Sequence, residues 1–409
     1  MTAAGTAPAA GTAPGASPTG RGGVLPVLAV GAFAIGTDTF VVAGVLPEVA
    51  RDLGTSIAAA GWVSTVFALT YAVLAPVLGA LTGRLERRTV LLISLLGFAL
   101  GNLASALAPS LGLLLAARVA TAASAALYIP AASATAGFLA APERRGRALA
   151  VVLGGLSAST VAGVPFGTWL AAGVSWQATF WLLAGLGVVC AGAVALCLPQ
   201  VRLPAAPGLA ARLAPARDRR VLVTVLTTLL FMTGGYLALT YIGAVLAPAT
   251  GGDGTRLSLL LLVFGVTGVA GTALGGRATD KAGAVPVLLA ALGGLVLVLV
   301  SLPYAREGMV GAGLAMAVWG VTAMATQPPQ QHRLFSVDPG SGPLLLSLNS
   351  SATFAGIALG GFLGGQMLTH GGGGALQALG PVGAGVALLG GLLTAATART
   401  GWNTSPPGA

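Results

Sequence analysis

Residues Gly79-Ala-Leu-Thr-Gly-Arg-Leu-Glu-Arg-Arg88 separate two apolar runs, 58–80 and 89–108. Each run has about the 20 residues that an α-helix needs to cross a bilayer. The turn between them is short and carries Arg84, Arg87 and Arg88. Two apolar helices joined by a short basic turn make a membrane hairpin, with its arginines on the cytoplasmic side. A second turn of this kind, Gly276-Arg-Ala-Thr-Asp-Lys-Ala-Gly283, starts 197 residues later, between runs 257–276 and 284–303. About half the chain separates the copies, so the turn reads as one element used in each of two halves.

Working outward from these turns, the chain divides into twelve apolar segments. They lie at 25–46, 58–80, 89–108, 111–140, 148–172, 177–198, 221–247, 257–276, 284–303, 309–330, 343–368 and 379–397. Their apolarity is continuous, with no period of two, which excludes barrel strands. The expected fold is therefore an all-α polytopic membrane protein of two six-helix bundles, 24–198 and 221–398. A linker rich in arginine and proline, 199–220, joins them, and short tails, 1–23 and 399–409, flank them. The first tail is an Ala/Gly/Thr/Pro tract without periodicity, expected to be disordered. It opens on no charged region and so does not read as a signal peptide.

Composition excludes the soluble classes. Of 409 residues, 20 are Lys or Arg and 10 are Asp or Glu, 7% in all. Soluble domains carry about 25%, and a water-facing surface cannot be built from so few. The hydrophobic fraction is 56%. A net charge of +10 would suggest nucleic acid in a soluble chain. Here the basic residues sort by position, and the expected partner is the lipid bilayer, not nucleic acid.

With the N-terminus inside, 16 of the 20 basic residues fall in cytoplasmic turns or tails. Three, Arg51, Arg256 and Arg306, fall outside, and Arg118 lies within a segment. That bias places both termini in the cytoplasm. The 19 arginines against a single lysine, Lys281, suggest a GC-rich bacterial genome, hence a bacterial inner membrane. Cys190 and Cys197 would lie about 10 Å apart on one helix, too far for a disulfide, and read as packing residues. His332 and His370 fall in loops, and no Cys/His cluster has metal-ligand spacing. No Gly-x4-Gly-Lys-[Ser/Thr] loop for ATP is present, and no catalytic constellation lies within the segments. Neither an enzyme nor a bound cofactor or metal is expected.

Two charges remain in the apolar depth. Asp38 sits in Gly36-Thr-Asp-Thr-Phe40, about 14 Å below the outer face, and Arg118 about 10 Å below the same face. A charge at depth costs about 2.5–3.5 kcal/mol on insertion scales and normally faces the bundle interior with a role. The matched depths allow contact. Asp38 is the candidate proton carrier. Arg118, which cannot deprotonate, would tune it or hold an anionic group. The alternative is a structural ion pair without a transport role.

Small residues recur every four positions at Gly155, Ser159, Gly163 and Gly167, with Pro165 among them, and again at Ala352, Gly356, Gly360 and Gly364. Such stripes let helices approach closely, either as static packing or as a gate. Candidate cavity residues are Trp62, Thr65, Tyr71, Tyr128, Tyr236, Thr240, Tyr241, Trp319, Gln327, Asn349 and Phe354. Together they suggest a path for a small, amphipathic, largely neutral substrate, since no charged ring suits a phosphate or metal ion.

At this point the residues resemble the major facilitator superfamily, in its twelve-helix drug:proton antiporter branch. Gly36–Ala50 is similar to the opening of sugar, purine and chloramphenicol exporters of that branch. Gly79–Arg88 resembles its motif A, Gly-x3-Asp-Arg-x-Gly-Arg-Arg, keeping Gly79, Arg84 and Arg88. Gly83 stands at the acid's position and Glu86 at a glycine's, while the second copy keeps both as Asp280 and Gly283. Arg118 matches the motif B arginine, and Gly163-Val-Pro-Phe-Gly167 resembles motif C, with Val164 inserted. The resemblance implies two six-helix pseudo-repeats and alternating access. It also implies coupling to protons through Asp38 and Arg118, and gating at Gly79, Arg84, Arg88, Gly276, Asp280, Lys281 and Gly283. It implies export of drug-like compounds by a monomer. A sugar or metabolite exporter or symporter of the same fold is the alternative. A non-transporting membrane sensor or assembly partner is the rival from another class.

Overall fold

The computed structural model describes residues 23–201, 208–338 and 341–399. The first tail up to 22, the linker residues 202–207 and the tail from 400 lie outside the described residues. Among the described residues, twelve helices are long and apolar enough to cross a membrane. We number them α1 (Val24–Asp52), α2 (Ile57–Leu81), α3 (Arg87–Ala106), α4 (Leu111–Leu139), α5 (Pro142–Gly173) and α6 (Trp176–Cys197). The second half holds α7 (Arg219–Leu239), α8 (Gly254–Ala282), α9 (Ala284–Ala305), α10 (Met309–Val337), α11 (Leu344–His370) and α12 (Gly372–Ala398). A short helix, Leu209–Leu213, lies in the linker.

In hydrocarbon every backbone group must find its partner within the segment, which leaves the helix as the form of a long apolar run. Polar side chains mark where the runs restart. Ser56, Ser175, Asp218 and Asp253 accept hydrogen bonds from backbone N–H groups in the first turns of α2, α6, α7 and α8. Gly283, at φ 84, makes the tight α8–α9 turn, a conformation that excludes side chains. The chain is an all-α, polytopic membrane protein of two six-helix halves.

The small-residue stripes do the same job in each half. Cβ atoms at Gly155, Gly163 and Gly167 would overlap Ala29, Thr37 and Val41 of α1, and one at Gly36 would overlap Ser159. So α5 lies flush on α1. In the second half, Gly356, Gly360 and Gly364 press on the α7 backbone from Leu229 to Leu237, and Gly364 also on the Tyr241 ring. Within α5 the regular helix gives way to a π-turn, Ser159–Gly163, and Pro165 sits in the first turn of the next piece. Proline lacks the N–H that an unbroken helix would need there.

Alternate turns of the bundle carry the arginines, which defines a basic end and a far end. The halves meet along a seam, α2 against α11 and α5 against α8. Span α8 packs along the far piece of α5 and its π-turn. Towards the far end the seam is tight: Gly243 abuts Pro47, and Gly254 abuts Ala172.

The structure corrects the expected places of five residues. Arg333 and His332 are not in a loop, because α10 runs on to Val337. The Pro328–Pro329 pair starts a fresh helical piece at its first turn, where proline is tolerated. Arg333 is thereby buried on its inner face. His370 is the last residue of α11, its Nδ1 3.0 Å from the Gln366 carbonyl. Arg87 opens α3 and is buried. Cys190 is buried but Cys197, at the end of α6, is exposed, so only the first is a packing residue.

Candidate functional site

Asp38 on α1 and Arg118 on α4 meet in the first half, and both side chains are fully buried. Arg118 Nη1 donates to Asp38 Oδ1 at 2.6 Å, and Nη2 donates to the Asp38 backbone carbonyl at 3.1 Å. The guanidinium lies over two aromatic faces, its Cζ 4.5 Å from the Phe67 ring centre and 5.6 Å from that of Phe180. Those rings come from α2 and α6 and turn their negative faces to a fully buried guanidinium. Asp38 Oδ2 has no hydrogen-bond partner among the described residues. The arrangement is thus a carboxylate held on one oxygen by a permanent cation, with the other oxygen free to take a proton.

A second set of candidates lines the seam. Tyr71 of α2 stacks on Phe354 of α11, ring centres 3.7 Å apart and planes 20° apart. Phe40 and Tyr236 pack around the same spot, against Ala68, Ile357 and Ala358. Nearer the far end, Trp62 meets Phe362 edge-on at 5.7 Å. There a cavity of about 240 Å³ is lined by Trp62, Thr65, Tyr241, Gly361, Gly365 and Gln366, among others. Tyr241 donates its hydroxyl to the Gly361 carbonyl, while the buried Thr240 hydroxyl has no partner among the described residues. Gln327 is half-buried on α10. Tyr128 and Trp319 lie elsewhere, packed inside their own halves. Tyr128 donates to the Leu28 carbonyl, and Trp319 packs on Phe264.

At the basic end, Arg88 donates to the Ala195 carbonyl near the end of α6, and the Arg87 backbone N–H to the Val201 carbonyl. The first basic turn therefore ties α3 to the end of α6. Arg84 is exposed, as are Asp280 and Lys281, which the structure places in the last turn of α8, and Gly276 has open space around its Cα. None of these three charges enters an ion pair among the described residues.

The fold and these positions can be set beside known proteins. The model of the Major Facilitator Superfamily matches residues 28–339. The chain belongs to the major facilitator superfamily. It is 32% identical over 368 residues to the inner membrane transport protein YdhP of Escherichia coli (strain K12), covering 89% of this chain and 94% of that one. It is 35% identical over 278 residues to a chloramphenicol resistance protein of Streptomyces lividans, covering 67% and 70% of the two chains. Among solved structures, a D-xylose–proton symporter superposes with a TM-score of 0.74 at 18% identity, over 94% of this chain and 98% of that one. That likeness is one of fold alone. As a major facilitator the chain is a membrane transporter and not an enzyme.

In this transporter some polar residues are joined in a way that sequence reading missed. Phe67 and Phe180 were unflagged, because an aromatic in an apolar run gives no sign of the charge it faces. The second half holds a buried polar chain. Arg333 Nη1 donates to Gln330 Oε1 at 3.0 Å, and Gln330 Nε2 donates to Thr228 Oγ1 at 2.8 Å. Thr228 donates in turn to Asn349 Oδ1 at 2.7 Å, and Arg333 Nη2 donates to Thr397. Of these only Asn349 stood among the candidates. The QPPQQHR stretch, polar on the face that turns inward, was the available signal.

Proposed function

We propose that this major facilitator exports small amphipathic compounds in exchange for protons, from a bacterial inner membrane, as a monomer. Its basic end and both termini face the cytoplasm, in keeping with the arginine distribution. The observation that carries the reading is Asp38, buried, bound by Arg118 on one oxygen and open on the other. A proton on Oδ2 cancels the carboxylate charge and loosens the tie between α1 and α4. Arg118 keeps its proton throughout, and Phe67 and Phe180 hold it while its partner is neutral. Each inward proton gains about 2.3 kcal/mol per 100 mV of membrane potential.

The substrate's place in this reading is the seam, where Phe40, Tyr71, Tyr236 and Phe354 offer aromatic faces and no charge. Such a surface suits a neutral compound with an apolar body and a few polar groups. The relative named for chloramphenicol resistance makes chloramphenicol the first compound to try. The halves rock about the seam to expose it to each side in turn. A growth-inhibition screen of an efflux-deficient host tests the reading. Wild type should protect against some members of a panel of neutral and cationic antibiotics, and Asp38→Asn should not. Equal protection by both sinks the coupling role of Asp38.

A further inference from the structure

The linker helix Leu209–Leu213 lies across the basic end of the seam and packs on both α2 and α11. Arg212 Nη2 donates to the Gly79 carbonyl at 3.0 Å. Gly79 is in the last turn of α2, where carbonyls lack intrahelical partners and the helix dipole is negative. The missing side chain leaves room for the contact: a Cβ at Gly79 would stand 3.0 Å from Arg212 Nη1 and push the guanidinium aside by a few tenths of an ångström. On its other side the linker leans on the second half. Ala211, Ala214 and Pro215 line a cavity of about 290 Å³ with Val337, Leu344 and Leu345. At the far end the same two helices touch directly, Trp62 on Phe362 and Thr65 against Gly361.

We propose that this helix is a wedge: Arg212, held by the Gly79 carbonyl, keeps the basic ends of α2 and α11 apart and so holds the far end closed. The wedge rests on the rocking motion proposed above. Two stiff halves that pivot about the Tyr71–Phe354 contact cannot close at the basic end while a helix stands between them. Opening the far end requires Arg212 to leave Gly79.

The test is cysteine labelling by a membrane-impermeant maleimide in proteoliposomes, read by peptide mass mapping. Ala68→Cys, 1% exposed at the seam, reports far-end opening, and the native Cys190, 2% exposed within the first half, reports unfolding. Cys197 is replaced by serine. Arg212→Ala should raise the Ala68→Cys labelling rate about threefold to tenfold, the shift in population that loss of one charged, partly solvated hydrogen bond produces. Gly79→Ala, which displaces the guanidinium without removing it, should raise it too, and Arg212→Lys should raise it less. Trp62→Ala removes the far-end contact with Phe362 and so reports rocking independently of the wedge. If Trp62→Ala raises labelling and neither Arg212→Ala nor Gly79→Ala does, the wedge is overturned and the rocking stands. If none of the three raises it, both are overturned. Labelling that rises equally at Cys190 reports unfolding and counts against the wedge.

Discussion

Replacing Asp38 by asparagine removes the site of proton exchange and, as protonation does, the negative charge, but keeps the hydrogen-bond acceptors of Arg118. The amide oxygen keeps the acceptor that Arg118 Nη1 reaches at 2.6 Å, and the backbone carbonyl still takes Nη2 at 3.1 Å. Phe67 and Phe180 are untouched. Asp38→Ala is harsher, because it strands a buried arginine, a loss of about 3–5 kcal/mol. The asparagine variant should therefore insert and fold, and the alanine variant should be poorly recovered. The functional magnitude follows from the driving force. One proton per cycle moving down 100 mV supplies about 2.3 kcal/mol, and at about 1.4 kcal/mol per tenfold this sustains a gradient of roughly fiftyfold. The assay is uptake of radiolabelled chloramphenicol, or of the best compound from the growth screen, into inverted vesicles energised by an imposed potential and pH gradient. Wild type should concentrate the compound tens-fold. Asp38→Asn should equilibrate it to a ratio of 1 while still catalysing exchange of labelled for unlabelled compound. Accumulation above 1 by Asp38→Asn, at normal protein level, would falsify the assignment of proton exchange to this carboxylate.

Three further outcomes test the packing. Gly155→Ala should cost about 1–3 kcal/mol, seen as a lower thermal midpoint in detergent, because the new methyl meets the Ala29 carbonyl. Its neighbour Gly154 has open space, so Gly154→Ala should be neutral or stabilise by up to about 1 kcal/mol, and equal effects at the two positions would contradict the α1–α5 packing. Gln330→Ala removes the acceptor for Arg333 and the donor to Thr228, and should destabilise by about 1–3 kcal/mol. An unchanged midpoint would mean that the buried polar chain is not formed. In the native protein a maleimide should modify Cys197 readily and spare Cys190 until unfolding, and modification of both at one rate would show that the N-terminal half is not packed as described.

The architecture could be read from sequence because a bilayer leaves few options. An apolar run of about 20 residues has one stable form in lipid, and arginines report which side each turn occupies. The glycine stripes were equally legible, since period-four small residues in a span have one geometric consequence, close approach. What could not be read were contacts between segments far apart in the chain. Asp38 and Arg118 stood out as costly charges at matched depth, but nothing local marks Phe67 or Phe180 as the rings beside them. Arg333 lies beyond the apolar run 309–330 and so reads as a cytoplasmic turn residue, and Pro328 and Pro329 do not end the helix there. They begin a new piece, and its amphipathic face then turns the arginine inward. Arg212 was counted only as one more cytoplasmic charge. Its contact with Gly79 depends on where the linker folds back, which no periodicity encodes.

A proton bound inside one half can govern the seam only if the charge is mechanically joined to it, and two short routes meet that need. The first runs along α1. Asp38 faces Arg118, while Phe40, two residues on, packs against Ala68, Ile357 and Ala358 at the seam. A small roll of α1 that follows release of Arg118 therefore moves Phe40 against the second half. The second route runs through α5. Gly36 and Thr37 lie against Ser159 and Gly163, at the two ends of the π-turn. Thr160 and Val161, inside that turn, press on Gly265 of α8. A π-turn is the least regular part of the helix, so it can absorb a shift of α1 and pass it across to α8. Both routes begin within one helical turn of Asp38, and neither needs the proton to reach the substrate. Coupling by packing also explains why Asp38 can sit away from the aromatic surface at the seam. In the proposed cycle the two sites would communicate through helices in contact: Gly36 and Gly163 seat the Ser159 and Thr37 side chains between α1 and α5, and Gly265 lies on the backbone of Thr160 and Val161.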